Sequence, residues 1–238
     1  MEQGNAAYNR GFARDERFNY LAPEDRYFLA RETDPYKLAL IGAGNNGFGH
    51  IQTAGVEGSS RVVGLYDPHD GSVTSGLEAI RQRRPDREPT VYGSIQEAVS
   101  DPDIDGYIIS TPNHTHRQVL EEVVKAGKPI FLEKPMATTV EDAAAMVRLG
   151  FSAGVPIQVG LQYRFKATYA DAIEEVVKQR SLGDVKSMSL QEHRIPFLDK
   201  VGQWNKFSSY SGGTLVEKCC HYFDIFNLFA ESRPARVF

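Results

Sequence analysis

From Tyr36 onward, two kinds of stretch take turns along the chain: short apolar runs bounded by glycine, proline or small polar residues, and longer stretches where apolar positions recur every three or four residues. The short runs read as buried strands at Lys37 to Ile41, Arg61 to Asp67, Thr90 to Tyr92, Gly106 to Ser110, Pro129 to Leu132 and Pro156 to Gly160. The longer ones read as helices. One opens after Gly47, one runs from Leu77 to Arg84 and is closed by Pro85, and Ser94 caps a third over Ile95 to Val99. Two more span His116 to Ala126, ending at Gly127, and Val140 to Phe151. Strand and helix alternating in this way predict an α/β fold, a doubly wound parallel sheet with right-handed crossovers.

Beyond Gly160 the pattern changes. Thr168 to Leu182 has the spacing of an amphipathic helix stopped by Gly183, Val185 to Ile195 alternates in part like a strand, and Trp204 to Ser211 reads as a loop. Gly212 and Gly213 then open a helix through Phe229, and Pro234 to Phe238 looks like the beginning of a strand. One strand, two helices and a strand barely begun cannot bury the face of an open sheet. The expectation is an α+β open-sheet domain that is incomplete here, belonging to a longer natural protein.

Residues 1–35 are polar and aromatic without a repeat; they read as an arm wrapping the domain or a partner subunit, or as tag and disorder at the extreme end. At 238 residues, 41% hydrophobic and 24% charged, the chain has the composition of one large or two ordinary globular domains. A net charge of -4 and a pI near 5.9 argue against nucleic acid as a partner. No apolar run resembles a signal peptide or is long enough for a membrane span. Cys219 and Cys220 are adjacent, which disfavours a disulfide between them and offers no zinc-ligand spacing, so no metal is expected and a reducing cytoplasm fits best.

The first predicted strand runs directly into Gly42-Ala-Gly44-Asn45-Asn46-Gly47 and then into a helix. That order is what a dinucleotide site requires. Gly42 permits the tight turn, Gly44 lets backbone approach a pyrophosphate at the helix N-terminus, and Gly47 lets helix and strand pack closely. Asp67 ends the second strand 20 residues past Gly47, where a carboxylate accepts from ribose hydroxyls and repels a 2'-phosphate. Pro68-His69-Asp70 brings no cation to welcome that phosphate, so NAD is favoured over NADP. Thr111-Pro112-Asn113 and Glu133-Lys134-Pro135 follow the fourth and fifth strands, so all these loops would line one cleft.

Three ionisable residues share the later helix: Glu217, His221 four residues on, and Asp224 three further. A histidine between two carboxylates can be held near neutral pKa as a base for a hydroxyl proton; by spacing alone a solvated helix face with an i,i+4 pair serves equally well. Lys134 is a chemical candidate or an ordinary surface charge. The stripe Leu215, Cys219, Tyr222 and Phe226 reads as core, and His114 and His116 read as capping and packing residues or as cofactor contacts. His50 and His193 show no partner.

Together these pieces resemble the glucose-fructose oxidoreductase and inositol dehydrogenase (Gfo/Idh/MocA) family of NAD(P)-dependent oxidoreductases: Gly42 to Gly47 with His50, Asp67, Thr111 to Asn113 with His116, Glu133 to Pro135, and Gly212-Gly213 leading to His221 and Asp224. The resemblance covers residues 36–238. It implies a Rossmann domain at 36–161, with Glu133 and His116 among the cofactor contacts, and a substrate and oligomerisation domain at 162–238. It also implies that Lys134 binds the reacting hydroxyl and that His221 accepts and returns its proton. Glu217 stands where many members have Asp, one methylene shorter, and Lys218, Cys219 and Cys220 occupy positions that are usually small or apolar. Tyr163, Arg164, Lys200 and Trp204, with Asp224, are the expected substrate-pocket residues; Trp204 could equally fill core. The implied enzyme is a cytoplasmic NAD-dependent dehydrogenase acting on a secondary alcohol of a sugar, sugar acid or inositol, probing neither membrane nor nucleic acid, as a homo-oligomer (dimer or tetramer). NAD-assisted glycoside cleavage and a non-catalytic NAD-binding regulator are the alternatives on the same fold.

Overall fold

The computed structural model of the protein describes residues 35–57, 59–83, 88–193 and 197–237. The predicted N-terminal arm lies outside them. Six strands form one parallel sheet: β1 (Tyr36–Ile41), β2 (Ser60–Tyr66), β3 (Thr90–Val91), β4 (Gly106–Ile109), β5 (Ile130–Leu132) and β6 (Ile157–Val159), in the spatial order β3-β2-β1-β4-β5-β6. The chain winds outward from β1 to β3, then returns to β4 on the other side of β1. That reversal between β1 and β4 is the switch point at which such sheets bind ligands.

Alternation along the central strands explains the layers. Ala39 and Ile41 of β1, with Tyr107 and Ile109 of β4, join one core; Leu40 and Ile108 join the other. The first core packs on α3 (Ile95–Ser100), α4 (His116–Val123) and α5 (Val140–Ala153) through Ala98, Leu120, Val123 and Met146. The second packs on α1 (Asn45–Glu57) and α2 (Asp70–Arg83) through Ile51, Ala54, Ala79 and Ile80. Leu40, Ile41 and Leu120 are fully buried, and each stabilises the fold by about 1.5–3 kcal/mol relative to exposure.

The expected caps hold where their chemistry is local. Ser94 accepts from Glu97 N at 3.1 Å, and Gly127 ends its helical segment with φ +66°. Helix α2, however, begins at Asp70, not Leu77. His69 Nδ1 accepts from Ser72 N at 3.2 Å and takes the place of an N-cap side chain, a role that cap preferences do not assign to histidine.

The region after β6 departs further from expectation. A short 3-10 turn at Gln162–Phe165 leads to α6 (Ala167–Ile173), which continues as a single wide turn over Glu174–Lys178 and stops well before Leu182. The expected strand from Val185 is absent among the described residues, which lie in irregular backbone; Arg194, Ile195 and Pro196 lie outside them. An alternating run makes a strand only when a neighbour satisfies its backbone groups, and no second sheet forms among the described residues. The same reason accounts for the missing strand after Pro234, whose last residue Phe238 is also outside the described set. The predicted loop at Trp204 is instead a 3-10 segment over Val201–Lys206, kinked at Gly202 and Gln203, followed by α7 (Ser208–Ser211). The long helix expected after Gly213 is two helices, α8 (Gly213–Glu217) and α9 (Cys220–Ala230), broken at Lys218 and Cys219.

Candidate active site

The carboxyl ends of β1, β2, β4 and β5 bring four loops together. Gly42 has φ +95°, and a Cβ there would lie 2.6 Å from Ser110 O, so only glycine lets the β1 loop pass the end of β4. A Cβ on Gly47 would collide with the Gly42 carbonyl oxygen, whereas one on Gly44 meets nothing within 4 Å. Two glycines therefore pack the turn, and the third leaves open space at the N-terminus of α1, where a phosphate is favoured. Asp67 fixes the neighbouring wall: Oδ2 accepts from Ala43 N and Oδ1 from His69 N, each at 2.8 Å. Each carboxylate oxygen keeps a lone pair for a ribose hydroxyl. The chemistry of this cradle, open backbone at a helix N-terminus beside a fixed carboxylate, suits an adenine dinucleotide, and Asn45 and Asn46 are exposed on its rim.

The β5 loop carries the next pair. Glu133 Oε1 meets His50 Nε2 of α1 at 2.8 Å and Oε2 accepts from Lys134 N at 3.0 Å. Burial works against the Glu133 charge, but His50 and Lys134 outweigh it and hold the carboxyl below the usual range. His50 showed no partner in sequence because its partner lies on another element 83 residues away. Lys134 Nζ donates to Glu217 O at 3.1 Å and stands 3.8 Å from Glu217 Oε1; Lys200 Nζ stands 3.7 Å from the same oxygen. Asn113 occupies the other oxygen, Oε2, and donates to Ser211 O at 3.0 Å.

Several expected roles are corrected by these contacts. Glu217 does not flank His221: the helix break at Lys218 turns it toward Asn113, Lys134 and Lys200. Asp224 does not flank it either, since its carboxylate accepts from Arg164 Nε at 2.7 Å, and both substrate candidates are thereby engaged with each other. Charge around His221 is positive rather than negative. Burial, followed by Lys134, Lys218 and Lys166, lowers its pKa to about 4 against a small opposing effect of Glu133, in place of the near-neutral value expected. His116 is fully buried and cannot touch a ligand in the cleft; its Nδ1 meets Pro135 O at 2.9 Å and its Nε2 meets Thr111 O at 3.0 Å, tying the β4 and β5 loops together. Pro112 and Thr111 stand on the same β4 loop, with Thr111 Oγ1 accepting from Thr115 Oγ1 at 2.9 Å.

Tyr163 lies flat on His221, and its hydroxyl meets Lys218 Nζ and Glu192 Oε1. Lys218, unexplained by its position in the sequence, pairs with Glu192 at 3.0 Å. Burial lowers its pKa, but Tyr163 and Glu192 more than offset this and leave it raised. Trp204 sits under Lys200, whose Nζ is 4.5 Å from the indole centroid. The loop bearing both reaches the glycine turn, where Asn45 Nδ2 donates to Asp199 O at 3.3 Å. Among the described residues, His221 Nδ1 is a buried polar atom without a hydrogen-bond partner, as is Ser110 Oγ at the end of β4. Among the described residues no group of histidine, cysteine and carboxylate could hold a metal ion, and no helix is long and apolar enough to cross a membrane.

Comparison with known families decides what this arrangement belongs to. Residues 36–161 match the oxidoreductase family with an NAD-binding Rossmann fold, and residues 174–238 match the C-terminal alpha/beta domain of the same oxidoreductase family. The chain belongs to the Gfo/Idh/MocA family. A scyllo-inositol 2-dehydrogenase (NAD(+)) from Bacillus subtilis is 28% identical over 192 residues, 79% of this chain and 52% of the relative. The rhizopine catabolism protein MocA from Rhizobium meliloti is 24% identical over 189 residues, 79% of this chain and 55% of the relative. The chain thus spans about half the length of the curated relatives it matches. The crystal structure of a scyllo-inositol dehydrogenase from Lactobacillus casei, with bound NAD(H) and scyllo-inositol, shares the fold at a TM-score of 0.65 and 20% identity, covering 83% of this chain and 56% of that one. The Gfo/Idh/MocA Rossmann domain is the NAD-binding part of the family, in agreement with the glycine turn and Asp67.

Proposed function

We propose that the protein is an NAD-dependent dehydrogenase that oxidises a secondary alcohol of an inositol or sugar. The observation that carries this is His221, buried, neutral above about pH 4, and near the ammonium of Lys134. Oxidising a secondary alcohol requires its proton and its hydride to leave together. NAD, when bound, supplies the hydride acceptor.

The chain's own residues supply the rest. His221 takes the hydroxyl proton, and Tyr163 stacked on it fixes the plane of its ring. Lys134 binds the hydroxyl oxygen and stabilises the negative charge that develops there, an effect strengthened by the scarcity of water in a buried site. Glu217 and Asn113 hold Lys134 through the contacts described, and Glu133 with His50 holds its backbone. The relatives named as inositol dehydrogenases support a cyclitol or sugar as substrate. The domain division at residue 161, a cytoplasmic setting in which Cys219 and Cys220 stay free, and a homo-oligomer belong to the same reading.

The test is titration with NAD and NADP, followed by absorbance of the reduced nicotinamide against a panel of inositols, sugars and sugar acids. NAD binding and reduction by one of them, lost in Lys134→Ala and His221→Ala, is the expected result. NAD binding without turnover by any polyol counts against the dehydrogenase.

A further inference from the structure

Beside Lys134 the candidate centre holds a second ammonium, that of Lys200, on the same carboxylate. Glu217 Oε1 lies between two ammonium groups, 3.8 Å from Lys134 Nζ and 3.7 Å from Lys200 Nζ. Both separations exceed the 2.7–2.9 Å of a tight charge-assisted hydrogen bond. The carboxylate is therefore shared and committed to neither lysine. Its other oxygen is occupied by Asn113, so it cannot turn away from the pair. Lys200 is itself held in place: its ammonium sits over the Trp204 ring, and the preceding residue, Asp199, accepts from Asn45 in the glycine turn. Burial acts against its charge, Glu217 and Glu133 support it, and Lys134 repels it. A surface lysine in a chance contact would have none of these constraints.

We propose that Lys200 is a positioning residue that works through Glu217 to keep the Lys134 ammonium available to the reacting oxygen. With Lys200 in place, the pull of Glu217 Oε1 is divided. Without it, that oxygen closes on Lys134 alone, forms a tight pair, and withdraws the ammonium from the substrate. The role rests on the dehydrogenase reading only for its catalytic consequence; the competition for Glu217 is a property of the folded chain.

The test therefore has a readout apart from turnover. The full chain is treated with acetic anhydride at one fixed pH, and acetylation of Lys134 is followed by peptide mass spectrometry. Lys200→Met is expected to slow labelling of Lys134 several-fold, Lys200→Arg to leave it near wild type, and Lys200→Met with Glu217→Gln to restore it, because no carboxylate remains to capture the amine. Circular dichroism and NAD titration of each variant show that the fold and the cradle persist; should Lys200→Met fail to fold, the Arg variant and Lys200→Gln carry the comparison. In turnover, the same pair should be non-additive: Lys200→Met lowers kcat roughly tenfold alone and has little further effect in the Glu217→Gln background. Unchanged or faster labelling of Lys134 in Lys200→Met overturns the proposal. Slower labelling in Lys200→Met without polyol turnover in the wild type leaves the positioning role standing and removes the dehydrogenase reading instead.

Discussion

The rings of Tyr163 and His221 are stacked, 4.2 Å between centroids and 6° from parallel. Tyr169 extends the stack at 5.1 Å from Tyr163. An aromatic sheet of this kind keeps water from one face of the imidazole, and burial is the largest cause of its depressed pKa. Replacing Tyr163 with Leu is therefore expected to raise the His221 pKa from about 4 toward its ordinary value, while Tyr163→Phe, which keeps the stack, leaves it low. Imidazole proton shifts followed by NMR titration measure this directly. A His221 that titrates alike in wild type and Tyr163→Leu would show that the stack does not set its protonation.

The low His221 pKa also carries a cost in stability as acid is added. The unfolded chain binds a proton at this histidine near pH 6.5, whereas the folded chain resists it until about pH 4. Stability supplied by the neutral ring is present above pH 6.5 and is lost as the pH falls through that window, by at most on the order of 3 kcal/mol. His221→Asn is expected to flatten this part of the profile relative to wild type. Urea midpoints at pH 7, 5.5 and 4.5 provide the comparison, and identical slopes for the two proteins would reject it.

The glycine turn separates packing from binding. Gly47→Ala places a methyl group against the Gly42 carbonyl and is expected to lower the thermal midpoint even without nucleotide. Gly44→Ala enters open space, so its fold should survive with a midpoint near wild type. If the pyrophosphate occupies that space, as proposed, Gly44→Ala should weaken NAD binding tenfold or more, at a cost of about 1.4 kcal/mol per factor of ten. Calorimetric NAD titration beside a melting curve distinguishes the two positions; NAD affinity untouched by Gly44→Ala would displace the nucleotide from this turn.

The difference between what was and was not legible in the sequence follows the range of the interactions. The parallel sheet, the glycine turn and the Ser94 cap depend on residues close in the chain or on simple periodicity, and they stand as read. The helix break at Lys218 was hidden because nothing in Thr214 to Phe223 forbids a continuous helix; Glu217 turns aside to meet Asn113, Lys134 and Lys200, which no local pattern encodes. His50 and Lys218 stayed unexplained for the same reason, each finding its acid on a distant segment. The alternating run after Val185 failed in the opposite sense, since its pattern suits a strand but no neighbouring strand is present among the described residues.

On the proposed reading, Asp67 selects between the two nucleotides. Its carboxylate already receives two backbone N–H groups, from Ala43 and His69, which orient it beside the glycine turn. Asp67→Ala removes the acceptor for the ribose hydroxyls together with the charge that repels a 2'-phosphate. A hydrogen bond to a charged group contributes about 1.5–3 kcal/mol, so NAD affinity should fall on the order of tenfold to a hundredfold. NADP should lose much less, because the lost repulsion offsets the loosened turn, and the preference for NAD over NADP narrows. The variant also loses the tie to Ala43, so its nucleotide-free melting curve has to be compared with wild type before the affinities are interpreted. Paired titrations of wild type and Asp67→Ala with the two nucleotides settle the matter: a preference that stays as wide as in wild type would remove Asp67 from nucleotide selection and leave it only the task of bracing the turn.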